Sequence, residues 1–329
     1  MRRAITGLGL AGVLVIASAG TTGARQQTPG DLEVLQLRPN FHVVAGAGSN
    51  IGVHTGEDGI IVVDAGAGAR TTAVLAAIRS ISSAPIRYII NTTADADHVG
   101  GNEALAKAGQ TLLLPRSFFV PDGFLSGAAS ILAAEPVLTR MSASDNGGEP
   151  AFPPGALPTE TFHYARKYMY LNGEGIEVLR QPAAHSDGDS IVFFRRADVI
   201  MAGDILDTTR FPVIDVARGG SVQGHIDALN RLVAMAIPSV PIVSREAGTL
   251  VVPGHGRICD QLDVVEYRDM LSIVRDRVRD LVAQGRTLEQ VQAEAPARGY
   301  TRRYGADSGP WTTRQFVEAV YRSLAPVKS

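Results

Sequence analysis

The chain has 329 residues, a formal net charge of -2 and 45% hydrophobic residues. These values favour one large domain with a substantial core. The lack of a basic excess argues against nucleic acid as a partner, and no block of like charge suggests an interaction tail.

The N-terminus has the pattern of an export signal. Met1-Arg2-Arg3 precedes an apolar run at residues 5–16, which is too short to span a bilayer, and small residues follow it. We expect a signal peptide over residues 1–24, cleaved after Ala19 or Ala24, and a single mature domain that is periplasmic or secreted and free of the membrane. An uncleaved N-terminal anchor is the alternative.

Short β-rich runs and one helix open the mature chain, which covers residues 25–329. Turn residues interrupt the runs at residues 33–63, which predicts a β-meander. Residues 70–81 carry apolar side chains at helical spacing, and residues 86–90 form the next apolar, β-rich run. Strand, helix and strand together predict a helix packed on a sheet.

The stretch at residues 91–102, N-T-T-A-D-A-D-H-V-G-G-N, directly follows that run. An acidic and imidazole cluster at the end of a buried strand is costly to desolvate unless a cation neutralises it. Asp97 and His98 can face one ion, because the chain turns out of the strand and Gly100-Gly101 relaxes the backbone before a helix begins. The stretch therefore predicts a loop that binds a divalent metal.

Residues 117–160 form a long segment rich in glycine and proline, with a predicted helix at about 128–140. Loops of this length in compact domains are commonly functional, so we interpret the segment as a lid-like insertion. Its phenylalanines, at positions 118, 119 and 124, either line a substrate cleft or simply pack in the interior.

Three later stretches each place one further candidate ligand beside an apolar run. They are His185 in A-A-H-S-D-G-D, Asp204 in I-M-A-G-D-I-L-D and His255 in V-V-P-G-H-G. An α/β fold presents functional side chains on loops held by a rigid scaffold. The spacing therefore favours one site assembled from several loops. From about residue 260, helical periodicity predicts C-terminal helices.

These motifs, in this order, resemble those of the metallo-β-lactamase-fold hydrolase superfamily, and in particular its glyoxalase-II-like exported members. The resemblance covers nearly the whole mature chain. It implies an α/β fold, a four-layer αβ/βα sandwich of two mixed sheets flanked by helices. The family motif H-x-H-x-D-H is degenerate here, because Thr93 and Asp95 stand at its two leading histidines while Asp97 and His98 match it.

The resemblance also implies two metal positions. One is served by the two leading motif positions together with His185, and is depleted. The other is served by Asp97, His98 and His255 and is complete, and Asp204 bridges the two positions. The candidate metal ligands are therefore Asp95, Asp97, His98, His185, Asp204 and His255. Asp97 is also the candidate catalytic residue, because it would hold the metal and orient a water molecule.

The remaining polar residues near these motifs have simpler expected roles. Asp95 is either a ligand or a neighbour, and Thr93 is expected to be a hydrogen-bonding neighbour. Asp187 and Asp189 are expected to shape a turn or to orient His185. The other four histidines are interpreted as ordinary polar residues: His42, His54, His163 and His225.

Hydrolysis is the function that such a site predicts. A bound divalent ion acidifies its water and polarises a carbonyl or phosphoryl oxygen, so the expected substrate is a small ester, thioester, lactone or lactam. Zn²⁺ is the expected ion, although the carboxylates move the preference towards Mn²⁺ or Fe²⁺ and lower the expected activity. Two alternatives stay open: an iron or manganese oxidoreductase-like protein, and a non-catalytic binding protein with a relic metal site.

Overall fold

Two mixed β-sheets form the centre of the protein. The computed structural model describes residues 32–112, 127–144, 151–240 and 248–325. The expected signal peptide at residues 1–24 lies outside them. Within the described ranges, no helix combines the length and the apolar content that a membrane span requires.

The first sheet has seven strands, which lie side by side in chain order. They are β1 (Glu33–Arg38), β2 (Phe41–Ala47), β3 (Ser49–Gly56), β4 (Gly59–Val63), β5 (Ile86–Ile90), β6 (Ser130–Ala134) and β7 (Glu160–Phe162). Adjacent strands from β1 to β4 are antiparallel, as the predicted meander requires, whereas β4 to β7 pair in parallel. Parallel neighbours need a crossover connection, and the predicted helix at Thr71–Ile81 supplies it between β4 and β5.

The second sheet has five strands. They are β8 (Arg166–Leu171), β9 (Glu174–Gln181), β10 (Asp189–Phe194), β11 (Val199–Asp207) and β12 (Leu250–His255), and their spatial order is β12-β11-β10-β9-β8. Strands β11 and β12 pair in parallel, and the other pairs are antiparallel. Both sheets are therefore mixed.

Helices flank the two sheets. They are α1 (Thr71–Ile81), α2 (Ala96–Val99), α3 (Asn102–Ala108), α4 (Glu135–Ser142), α5 (Val222–Met235), α6 (Gln261–Ala283), α7 (Leu288–Ala293), α8 (Thr301–Tyr304) and α9 (Thr313–Leu324). Helices α1 and α3 share a buried core with the first sheet, and α5, α6 and α9 share another with the second. The C-terminal helices begin at Gln261, close to the predicted position.

A third core lies between the two sheets, and strand residues alternate between it and the outer cores. Val43 of β2 enters the inter-sheet core, whereas its neighbour Val44 belongs to the core under α1. Both faces of β4 are covered, which is why its sequence is a continuous apolar run. The layer order of helix, sheet, sheet and helix confirms the predicted four-layer α/β sandwich.

The segment interpreted as a lid-like insertion contributes instead to the first sheet. Ser130–Ala134 forms β6 between β5 and β7, and Ile131 and Leu132 are fully buried. Helix α4 begins only at Glu135, so the helix predicted at about 128–140 starts too early. Residues 113–126, with the three phenylalanines, and residues 145–150 lie outside the described ranges. The described part of the segment thus supplies strand β6 to the first sheet and helix α4 after it.

Candidate metal centre

All six candidate ligands meet at one edge of the sandwich. Strand β5 ends at Ile90 and leads into the loop that carries Asp95, Asp97 and His98. Asp204 lies in the second half of β11, His255 ends β12, and His185 lies between β9 and β10. Strands of both sheets therefore deliver ligands to the same place, as the wide sequence spacing predicted.

Asp97, His98 and His255 form the first of two ligand groups. Their donor atoms all lie within 4.8 Å of one another. His255 Nε2 is 3.4 Å from Asp97 Oδ2. We call this set the histidine-rich group; it corresponds to the position that the resemblance implied to be complete.

Asp95, His185 and Asp204 form the second group, which we call the Asp95 group. Their donor atoms also lie within 4.8 Å of one another. Asp95 Oδ2 is 2.8 Å from His185 Nε2, so this carboxylate points into the group from a position at which the resemblance implies a histidine. The position expected to be depleted therefore keeps three converging donors.

Asp204 lies between the two groups and contacts both. Its Oδ1 is 3.1 Å from His98 Nε2 and 3.2 Å from His255 Nε2. Its Oδ2 is 4.0 Å from His185 Nε2. One carboxylate thus faces histidines of both groups, which is the geometry of the expected bridging ligand.

Two glycines near Asp204 allow close approaches of the backbone that a side chain would prevent. A β-carbon at Gly254, in the P-G-H-G turn, would lie 2.4 Å from Asp204 Oδ1. Gly203, immediately before Asp204, has φ 53, and a β-carbon there would lie 2.6 Å from Thr92 Oγ1. The two motifs need glycine because a side chain at Gly254 would displace Asp204 and one at Gly203 would displace Thr92.

Asp64 fixes the orientation of His98, a role that the sequence did not reveal. The His98 Nδ1–H donates to Asp64 Oδ2 at 2.8 Å, which leaves Nε2 directed at the site. Thr92 donates to the same carboxylate from its backbone N–H at 2.8 Å and from its hydroxyl at 2.7 Å. Asp64 adopts φ 63, a left-handed conformation that is uncommon for a residue other than glycine. This buried contact is typical of the outer partners that orient metal-binding histidines.

The backbone carbonyl of Val213 orients His185. The His185 Nδ1–H donates to it at 2.9 Å, so Nε2 faces Asp95. Asp189 accepts hydrogen bonds from the Ser186 N–H at 2.7 Å and the Ser186 hydroxyl at 2.8 Å, and therefore shapes the turn after His185. Asp187 pairs with Arg140. The two aspartates thus shape and anchor this loop, and neither of them contacts the imidazole.

The charges of the site perturb the protonation of its members. Burial by itself would lower the pKa of His98, but Asp204 and Asp64 raise it well above its usual value. Burial also opposes protonation of His185, yet its hydrogen bond to Asp95 and the surrounding carboxylates raise its pKa to about 10. Burial disfavours ionised Asp204, but the neighbouring histidines hold its pKa well below its usual range. The centre therefore attracts positive charge, either as protons on the imidazoles or as a divalent ion that displaces them.

The donor set fits a divalent cation. Imidazole nitrogens suit Zn²⁺ and Fe²⁺, and carboxylate oxygens suit Mn²⁺ as well. Two groups of three converging donors, with imidazoles held by Asp64 and by the Val213 carbonyl, match the ligand number and outer support that such ions need.

Thr93 does not have its predicted role as a hydrogen-bonding neighbour. Its side chain is fully buried, and its hydroxyl has no hydrogen-bond partner among the described residues. A buried hydroxyl without a partner is uncommon and costs free energy. Neither His54 nor His225 belongs to a ligand group, and burial lowers the pKa of each to about 4. Both are buried outside the ligand groups, which agrees with their interpretation as residues that bind no metal.

Comparisons with known proteins agree with this architecture. The sequence model of the metallo-beta-lactamase superfamily matches residues 45–255, more than half of the chain and a range that includes all six candidate ligands. No curated protein matches the chain in sequence.

Solved structures with similar folds are distant in sequence. A metallo-beta-lactamase from Pontibacter korlensis is 18% identical, with a TM-score of 0.52, and the match covers 74% of this chain and 99% of that one. The DIM-1 metallo-beta-lactamase is 16% identical, with a TM-score of 0.52, over 74% of this chain and 97% of that one. The stereoselective inverting sec-alkylsulfatase from Pseudomonas sp. is 13% identical, with a TM-score of 0.60, over 88% of this chain and 50% of that one. At these identities the likeness concerns the fold, and with the sequence match it leads to one conclusion: the chain belongs to the metallo-beta-lactamase superfamily.

Proposed function

We propose that the protein is a metal-dependent hydrolase of a small ester, thioester, lactone or lactam. The observation that carries the proposal is the convergence of two three-residue ligand groups on the shared carboxylate of Asp204. A divalent ion bound there would acidify a water molecule and polarise the bond under attack.

Asp97 is the residue best placed to orient the attacking water. Its side chain is 39% exposed, whereas those of Asp204 and His255 are 12% and 14% exposed. An accessible carboxylate at the rim of a buried cluster can accept a hydrogen bond from an incoming water and later its proton. The Ser49 hydroxyl donates to the Asp97 backbone carbonyl at 2.8 Å and thereby helps to fix the turn that carries this carboxylate.

The buried histidines would keep the centre in one geometry during turnover. His98 and His185 are almost completely inaccessible, and each has one ring nitrogen occupied by a protein acceptor. Preorganised ligands spare the reaction the cost of reordering the site. We propose Zn²⁺ as the ion, with Mn²⁺ or Fe²⁺ as competitors because three of the six donors are carboxylates.

The pattern at residues 1–24 supports a location outside the cytoplasm, in the periplasm or the medium. The substrate would then be a small molecule met there. The names of the similar folds, two lactamases and one alkylsulfatase, widen the substrates worth testing to sulfate esters.

The experiment is a substrate panel on protein purified without chelators and loaded with Zn²⁺, Mn²⁺ or Fe²⁺ in turn. Esters, thioesters, lactones, lactams, phosphodiesters and sulfate esters are assayed across pH. We expect turnover of at least one class, its loss in Asp97→Asn, and no change in Asp227→Asn, which alters an exposed carboxylate of α5. Metal-loaded protein that binds a panel compound and turns none over would favour the non-catalytic binding protein.

One observation favours a second candidate, the iron or manganese oxidoreductase-like protein. Asp95 brings a carboxylate to the second position of the metal motif, with Oδ2 directed at His185. Oxygen-rich donor sets favour these redox-active ions over Zn²⁺. Oxygen consumption by the iron-loaded protein, together with no hydrolysis by the zinc-loaded protein, would support this second function.

A further inference from the structure

Arg218 contacts the candidate ligand that departs from the family pattern. Its Nη1 donates to Asp95 Oδ1 at 3.4 Å. The other oxygen of the same carboxylate, Oδ2, lies 2.8 Å from His185 Nε2. The two oxygens of Asp95 therefore have different partners, one outside the ligand group and one within it.

Contacts to both the backbone and the guanidinium of Arg218 hold this residue in place. Its N–H donates to Asp215 Oδ1 at 3.0 Å, and its Nε lies 3.4 Å from Asp215 Oδ2. Its carbonyl accepts hydrogen bonds from the Asp187 N–H at 3.0 Å and from Arg140 Nη2 at 3.1 Å. Although the side chain is half exposed, its base and one end of its guanidinium are therefore fixed.

The same short segment also supports His185. The carbonyl of Val213 accepts from His185 Nδ1 at 2.9 Å, and the Asp215 N–H donates to the His185 carbonyl at 2.9 Å. Residues 213–218 thus contact two members of the Asp95 group from outside. This arrangement is independent of the histidine-rich group, whose His98 is held by Asp64.

Charge explains why Asp95 would need such a partner. A carboxylate at the place of a neutral imidazole adds one negative charge, and it can offer an ion one oxygen or two. A guanidinium on Oδ1 restores charge balance and directs a single oxygen, Oδ2, into the group. Because arginine stays protonated at every relevant pH, this effect does not depend on titration.

We propose that Arg218 is a positioning residue that lets Asp95 replace the family histidine. The proposal rests on metal binding at this centre, as in the proposed function. It means that the degenerate motif is compensated by a residue 123 positions away in the sequence, so the Asp95 group is a built site and not a relic.

A double-mutant cycle with Zn²⁺ alone as the probe tests the proposal. Affinity is measured by competition with a chromophoric chelator, and stoichiometry by elemental analysis. In Arg218→Met, the backbone hydrogen bonds of residue 218 stay, so the protein should fold normally. We expect the affinity of the weaker Zn²⁺ to fall roughly tenfold to a hundredfold, the usual effect of losing an outer partner.

The informative comparison is Arg218→Met in a protein that also carries Asp95→His. In Asp95→His, the guanidinium still pairs with Asp215 but has no carboxylate of the ligand group to hold, and its charge repels the ion. Adding Arg218→Met should therefore leave the affinity unchanged or increase it. A merely structural role would weaken both backgrounds alike. Arg218→Lys keeps the charge but not the fork that reaches both Asp215 and Asp95, and should give an intermediate affinity. Arg279→Met is the matched control, because Arg279 on α6 is about as exposed as Arg218 and likewise pairs with an aspartate, Asp276.

Outcomes of two kinds would overturn the proposal, and they have different consequences for the proposed function. An unchanged or higher affinity in Arg218→Met, or an equal loss in the Asp95→His background, would refute the role of Arg218 while the proposed function stands. Wild-type protein that binds none of Zn²⁺, Mn²⁺ and Fe²⁺ would refute the proposed function and this inference with it.

Discussion

The Asp64 carboxylate and the His98 imidazole lie in direct contact, with 2.8 Å between Oδ2 and Nδ1, and both side chains are buried. Asp64→Asn keeps the shape of this partner and tolerates the left-handed backbone, but removes its charge. We expect Zn²⁺ affinity at the histidine-rich group to fall roughly tenfold to a hundredfold. Chelator competition measures the change, with Asp227→Asn as the control. An unaltered affinity would mean that His98 is oriented by its surroundings alone.

A substitution in one ligand group should leave the ion of the other group bound. His98→Ala, Asp97→Ala or His255→Ala should remove the tighter ion, because each takes one donor from the histidine-rich group. Asp95→Ala should leave that ion bound, since it belongs to the other group. Elemental analysis of dialysed protein decides the question, with about one tightly held ion per chain expected in the wild type. If Asp95→Ala empties the protein as fully as His98→Ala, the two groups are not separate.

Acid should destabilise the protein through buried neutral histidines. Burial lowers the pKa of His225 from 6.5 to about 4, although its Nε2–H donates to the Ile205 carbonyl at 2.8 Å. The unfolded chain therefore takes up a proton at higher pH than the native protein does. The contribution of neutral His225 to the free energy of unfolding is fully present above pH 6.5 and is lost as the pH falls towards about 4.

For one such residue the loss in free energy of unfolding is on the order of 3 kcal/mol at pH 4. Denaturant unfolding of wild type and His225→Gln at several pH values between 7 and 4 measures it. The glutamine variant is expected to lose less stability across this range, whatever its stability at neutral pH. Equal losses in both proteins would assign the acid sensitivity to other groups.

The N-terminal prediction concerns residues outside the described ranges and is tested by mass spectrometry. The exported protein should begin between Gly20 and Gln27, because the apolar run is followed by small residues suited to cleavage. A chain that retains Met1 in a membrane fraction would support the anchor instead.

The resemblance to the superfamily implied the four-layer sandwich, whereas the convergence of the candidate ligands could be predicted from the residues themselves. The candidate ligands follow apolar runs, and the ends of neighbouring strands in a layered sheet lie close together. Side chains such as Asp97 and His255 therefore meet although 158 positions separate them in the chain. Strand β6 was missed because S-I-L-A-A is short, rich in alanine and flanked by glycine and proline. Pairing with β5 and β7 overrides those local preferences.

The residues that support the ligands could not be predicted in the same way. Asp64 owes its role to a left-handed backbone conformation, and Arg218 owes its role to a contact across 123 positions. Neither has a local pattern, since acidic and basic side chains at the ends of strands and helices are common on any surface. Only the folded chain shows which of them lies behind a ligand.

The position of Asp204 between the two groups has a consequence for how the protein would fill with metal. Two ions that share one carboxylate are thermodynamically linked: the first takes up part of its negative charge and repels the second. Filling would then be negatively cooperative and would proceed in two separated steps. Over a broad range of metal concentration the chain would carry a single ion. The total number of bound ions would therefore rise over a wider concentration range than two independent sites would give.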